Sequence, residues 1–144
     1  MINDSMVCLK ELFAYAILFN PKIYEIQVID KRKKKTIKNF GIKRIDETKL
    51  NGLNIFNVSL LSEGEDNKTF SLAYLEDDAT SSVIAMPLFI EGQKVRLMEL
   101  NHKLPKIFKE FPLIGCNDTG FNFVFQSKKF YPNETRSNLL LKEI

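Results

Sequence analysis

The sequence predicts an α+β fold, a mainly antiparallel twisted sheet with helices on one face. Three observations carry that prediction. The first apolar run repeats at helical spacing, most later runs alternate apolar and polar residues, and short polar turns join them rather than helix-length crossovers. The 144 residues fit a single domain, 1–144, large enough to bury a core without disulfides.

"DSMVCLKELFAYAILFNP" reads as a helix. Asp4 or Ser5 is suited to cap its start, and Met6, Leu9, Phe13, Ala16 and Ile17 make one apolar face. Asn20-Pro21 ends it, because a residue before proline is driven out of the helical region. The run "FAYAILF" is apolar all round, which implies burial on more than one side. "IYEIQVID" follows as a strand with Tyr24, Ile26 and Val28 on one face. "TIKNFGIKRI" is a second strand, with Gly41 suggesting a bulge. "LNIFNVSLLS" turns Phe56, Val58 and Leu60 one way, and "TFSLAYLE" turns Phe70, Leu72 and Tyr74 the same way. "VIAMPLFIEGQKVRLMEL" divides into two short strands around Glu91-Gly92, with Pro87 confining the first to an edge or bulge position. "LPKIFKEFP" predicts a short helix. "FNFVFQS" predicts a last strand with Phe121, Phe123 and Phe125 facing the helices, and "SNLLLKEI" a further helix start. About five to seven strands result. Their second face is expected to be partly open or covered by a neighbouring domain.

Composition narrows the function. No apolar run is long enough to span a membrane, and early charges disfavour a signal peptide. Cys8 and Cys116, far apart beside a single histidine, suit two reduced thiols in a cytoplasmic protein, not a metal site. The net charge of +3 hides a local excess. Residues 31–50 carry nine Lys/Arg against two acids, so the rest of the chain sums to −4. Lys31, Arg32, Lys33, Lys34, Lys35, Lys38, Lys43 and Arg44 form this basic patch. A solvated hairpin tip is its first explanation. Only Phe40 lies among these residues as a stacking aromatic, so nucleic acid is an unfavoured partner.

Catalytic signals are sparse. His102 sits in a polar loop, and Asp77-Asp78 fits a solvated turn better than a weak cation site. There is no phosphate loop, nucleophile elbow or zinc-helix motif, so the chain alone does not read as an enzyme. In "FYPNETR" a proline-fixed loop leads to Glu134 and Arg136. Physics alone favours a surface arginine paired with that acid, although an arginine so placed can present a rigid fork to phosphate.

The string "LPKIFKEFPLIGCNDTGFNFVFQSKKFYPNETR" resembles a segment of the sacsin-like, heat-shock-protein-90-like ATPases. The resemblance rests on Leu104, Pro105, Phe111, Pro112, Leu113, Ile114, Gly115, Asp118, Ser127, Phe130, Pro132, Glu134 and Arg136. "LKELFAYAILFNPKIYEIQVID" is similar to the helix and strand that follow the nucleotide-binding domain there. Cys116-Asn117, Gln126 and Ser137-Asn138 depart from the family's residues, and 31–80 is loosely matched. The resemblance implies a middle or transducer domain with a ribosomal S5 domain 2-like fold. ATP and Mg²⁺ would belong to an upstream GHKL domain of the same polypeptide, with no cofactor in this chain. It further implies a cytoplasmic chaperone with client proteins as partners, in which Arg136, oriented by Glu134, reaches the γ-phosphate on docking. The alternative reading is a protein- or nucleic-acid-interaction module built on the basic patch.

Overall fold

The structure, a computed structural model, describes residues 2–50, 52–62, 68–92, 94–109, 111–113 and 122–128. Helix α1 spans Ile2–Phe19, a run without glycine or proline. It begins ahead of the expected cap, so Asp4 and Ser5 fall inside its first turn. Asn20 N donates to Ala16 O at 2.9 Å as the last helical bond, and Pro21 ends the helix as expected. The C-terminal half is enclosed on most sides: Ala14, Tyr15, Ala16, Ile17 and Phe19 are all buried.

Among the described residues nine strands follow, more than the five to seven expected: β1 Glu25–Asp30, β2 Lys35–Leu50, β3 Leu53–Leu61, β4 Lys68–Asp77, β5 Ser82–Glu91, β6 Lys94–Leu97, β7 Ile107–Lys109, β8 Phe111–Pro112 and β9 Val124–Ser127. They form one sheet in the order β1-β2-β3-β4-β5-β9-β7-β8, with β6 also pairing with β5. The first five strands make an antiparallel meander, as short polar turns predict. β5 is shared along its outer edge, by β9 at Ser82–Ala85 and by β6 at Leu88–Glu91. Pro87 occupies the gap between them. Its carbonyl accepts from Met98 N at 2.9 Å, so its missing N–H faces the side where no ladder bond is lost.

Each central strand sorts its residues by period two. Phe56, Val58 and Leu60 of β3 lie on the α1 side with Leu72 of β4 and Phe40 of β2. Ala85, Leu104, Phe108 and Val124 complete that core. Phe19 meets Phe108 edge-on with ring centroids 5.0 Å apart, which pins the helix end over the late strands. Burial of each large apolar side chain contributes about 1.5–3 kcal/mol.

Three expectations are corrected. The stretch from Leu104 is not helical: Ile107 and Phe108 pair with Phe125 and Gln126 in a parallel ladder, and β8 folds back on β7. Prolines at both ends leave too few residues to repay helix nucleation, whereas two β pairings and full burial of Leu104 and Phe108 are available. Next, β9 faces opposite to the prediction. Val124 and Gln126 point to α1, and Phe125, opposite Ile84, lies on the other face. Phe121 is outside the described residues. Lastly, Gly41 is in regular register with Glu25 and Leu61. The bulges flank it instead, one where Ile37 is extra against β1 and one between Ile45 and Thr48 against β3.

Candidate functional site

The eight basic residues do not form one surface. Lys31–Lys34 make the exposed β1–β2 turn, whose backbone is organised by an acid. Asp30 Oδ1 accepts from Arg32 N at 2.9 Å and from Lys33 N at 3.4 Å. Lys34 takes a positive φ of 51° to close the turn. Lys35 begins β2. Further along that strand, Lys38 and Arg44 lie on the helix side and Lys43 on the opposite side, because each pairs across to residues of known facing. Arg44 is committed to structure, donating to the carbonyl oxygens of Pro21 and Ile23. What remains is a solvated hairpin tip with a lysine-rich rim.

The sequence-predicted pair Glu134 and Arg136 lies outside the described residues. The chain last seen before them leaves β9 with Lys128 N bonded to Ser81 O at 3.4 Å, beside the β4–β5 turn. Asp77 is engaged in that turn: its carboxylate accepts from Ala79 N at 3.2 Å and from Thr80 Oγ1 at 2.7 Å. Asp77 and Asp78 are exposed, and no metal-holding cluster of His, Cys, Asp or Glu occurs among the described residues. His102 is exposed on a turn set by Asn101, whose side chain accepts from Lys103 N. No described helix is long and apolar enough to cross a membrane.

The feature that sequence reading underweighted is the sheet face opposite α1. A small cluster of Ile55, Ala73 and Leu88, with Val95 against it, sits there under no described helix. Around it Leu53, Leu75, Ile84, Met86 and Leu97 line a shallow cavity of about 270 Å³. Leu75 is 58% exposed and Leu97 53%, in a chain whose larger apolar core lies on the other face. An exposed aliphatic patch of this kind marks an interaction surface. The signal was present in "VIAMPLFI", which is apolar at odd and even positions alike, as a strand needs when both of its faces are to be covered. Away from the patch the same face turns polar. Ser59 and Thr69 share a hydrogen bond of 2.7 Å, and Ser71 donates to Asn57 at 2.6 Å. The patch therefore has a defined border.

No family model, curated protein or solved structure matches the chain. The likeness to sacsin-like ATPases rests on the sequence strings alone.

Proposed function

We propose that this chain is a non-catalytic docking domain, the middle or transducer element of a sacsin-like, heat-shock-protein-90-like chaperone ATPase. In this reading a separate GHKL domain holds ATP and Mg²⁺, and the segment after β9 carries Arg136 to the γ-phosphate. Glu134 orients the guanidinium. A charge-assisted, two-pronged contact there stabilises the transferring phosphoryl group or the closed form.

The observation that supports a docking role is the one-sided sheet. α1 covers one face, while Leu75, Ile84, Met86 and Leu97 offer the other to a neighbour. Covering each half-exposed leucine contributes about 1 kcal/mol, half the value for full burial. The β4–β5 turn, beside which the described chain ends at Lys128, joins two of the strands that carry the patch. In this reading a domain docked on the patch meets the segment that follows β9. The ribosomal S5 domain 2-like topology and the client-binding role belong to the same proposal.

The test uses the polypeptide that carries both domains. Leu75→Glu should weaken domain closure and slow ATP turnover while ATP affinity is kept. If Leu75→Glu turns over at the parent rate, the face is not the docking surface.

A further inference from the structure

A separate recess of about 180 Å³ lies on the helix-covered side, between α1 and the β4–β5 strands. Glu11 and Tyr15, one helical turn apart, line it from α1. Phe70 and Leu72 of β4 and Pro87 and Phe89 of β5 supply apolar walls. Tyr15 is only 2% exposed, its ring packs 6.4 Å from Phe19, and its hydroxyl has no hydrogen-bond partner among the described residues. No buried polar side-chain atom among the described residues is orphaned, so that hydroxyl opens onto the recess it lines. A tyrosine this deep ordinarily satisfies its hydroxyl, so one left open to a recess offers a bond to a ligand.

The half-buried charge sets the sign of that ligand. Facing the recess are Glu11 from α1, Lys68 from β4 and Glu99 from the segment after β6, with Arg96 of β6 beside the Phe89 wall; of these four only Glu11 is not exposed. The aromatic walls already attract cations. Lys68 Nζ lies 5.4 Å from the Phe70 ring centre, and the Arg96 guanidinium 5.3 Å from that of Phe89. Burial pushes the Tyr15 hydroxyl upward, with Glu11 adding to the effect, so it remains a neutral group with lone pairs to offer.

We propose that this recess binds a short alkylammonium, with the –NH₃⁺ group on the Tyr15 hydroxyl and the Glu11 carboxylate and the alkyl chain against Phe70 and Phe89. Lys68, exposed at the rim, keeps its place over Phe70. The volume holds about six water-sized groups at ~30 Å³ each, enough for a four-carbon amine. An anion would meet two carboxylates. A neutral solute would leave half-buried Glu11 only the exposed Lys68 as a counter-charge. The inference is independent of the docking role proposed above.

The experiment is an NMR titration of the chain with n-butylammonium, n-butyrate and Nα-acetyl-lysine N-methylamide. Butylammonium should give saturable shifts at Glu11, Tyr15, Phe70 and Phe89, and butyrate none. Tyr15→Phe, which removes only the hydroxyl oxygen, should weaken binding about tenfold, the usual worth of one hydrogen bond to a charged group. Glu11→Gln should weaken it at least as much, and so should lowering the pH until Glu11 is protonated. If the blocked lysine produces the same shifts, a partner's lysine side chain can reach the recess; if only butylammonium does, the ligand is a free amine. The proposal is overturned if neither ammonium saturates, if butyrate shifts the same residues equally, or if both variants bind like the parent.

Discussion

Arg44 Nη2 donates to the carbonyl oxygen of Pro21 at 2.9 Å, tying the middle of β2 to the turn that follows α1. The same nitrogen also meets the Ile23 carbonyl. One side chain thus gathers carbonyls just beyond a helix C-terminus, where a cation is favoured in any case. Hydrogen bonds from a charged donor are worth about 1.5–3 kcal/mol, and exposure reduces that. Arg44→Ala should therefore lower stability by about 1 kcal/mol, read as an earlier urea midpoint at unchanged slope. Arg44→Lys should recover only part, since its ammonium sits on a shorter stem than Nη2 and is more strongly hydrated. Because Arg44 is spent on structure, its loss should leave polyanion binding unaltered, whereas neutralising Lys31–Lys35 should reduce it and flatten its salt dependence.

The late strands give the second prediction. Phe108 is fully buried against Phe19, while Phe123 lies on the far face with its ring 6.5 Å from Phe125. Phe108→Ala should cost about 3–5 kcal/mol, the usual range for a buried aromatic truncation. Phe123→Ala should cost less than half as much. Equal losses by thermal unfolding would contradict the facing seen here.

These strands also show where sequence reading stops. The meander from Glu25 to Glu91 was legible because Phe56-Val58-Leu60 and Phe70-Leu72-Tyr74 alternate cleanly against polar neighbours. The α1 boundary at Asn20-Pro21 was legible from backbone sterics. "LPKIFKEFP" was not, since Leu104, Ile107 and Phe108 fit a helical face as well as a strand, and only the long-range partners Phe125 and Gln126 decide between them. "FNFVFQS" alternates Phe against Asn122, Val124 and Gln126 and so points its phenylalanines at the helices, but the register against β5, which sets Val124 opposite Ala85 and Phe125 opposite Ile84, overrides that pattern. The Tyr15 recess combines residues from α1, β4, β5 and the segment after β6, distances in sequence that no local motif reports.

Glu11 supplies a pH prediction. Burial raises its carboxyl above the ordinary value of 4.5, and the Lys68 charge partly opposes the rise. The folded chain therefore binds more protons than the unfolded chain through that window. Stability from this group is full below the ordinary value and is lost as pH climbs through the raised one. Glu11→Gln should raise the melting temperature at neutral pH and lose that advantage in acid. Lys68→Met, by removing the opposing charge, should push the Glu11 titration higher still. A carboxyl carbon titration by NMR checks both. A Glu11 midpoint at or below 4.5 would remove the argument.

The final prediction concerns Arg136 in the polypeptide that also carries the ATP-binding domain. Adenine and Mg²⁺ contacts belong to that domain in the proposed function, so Arg136→Ala should leave nucleotide affinity nearly intact. Hydrolysis in a single turnover should slow, by about 10³-fold or more where the guanidinium meets the γ-phosphate in the transition state. Arg136→Lys should rescue poorly, because a point charge cannot make two parallel bonds to phosphate oxygens. Glu134→Ala should have a smaller effect, since its part is to aim the guanidinium. Leu75→Glu separates docking from chemistry. It should slow turnover by lowering the population of the docked state, so adding it to Arg136→Ala should cost far less than the two losses combined, as for groups acting in one step. Full additivity would mean that the patch and the arginine act apart. A parent rate in Arg136→Ala would make the arginine an ordinary surface residue beside Glu134.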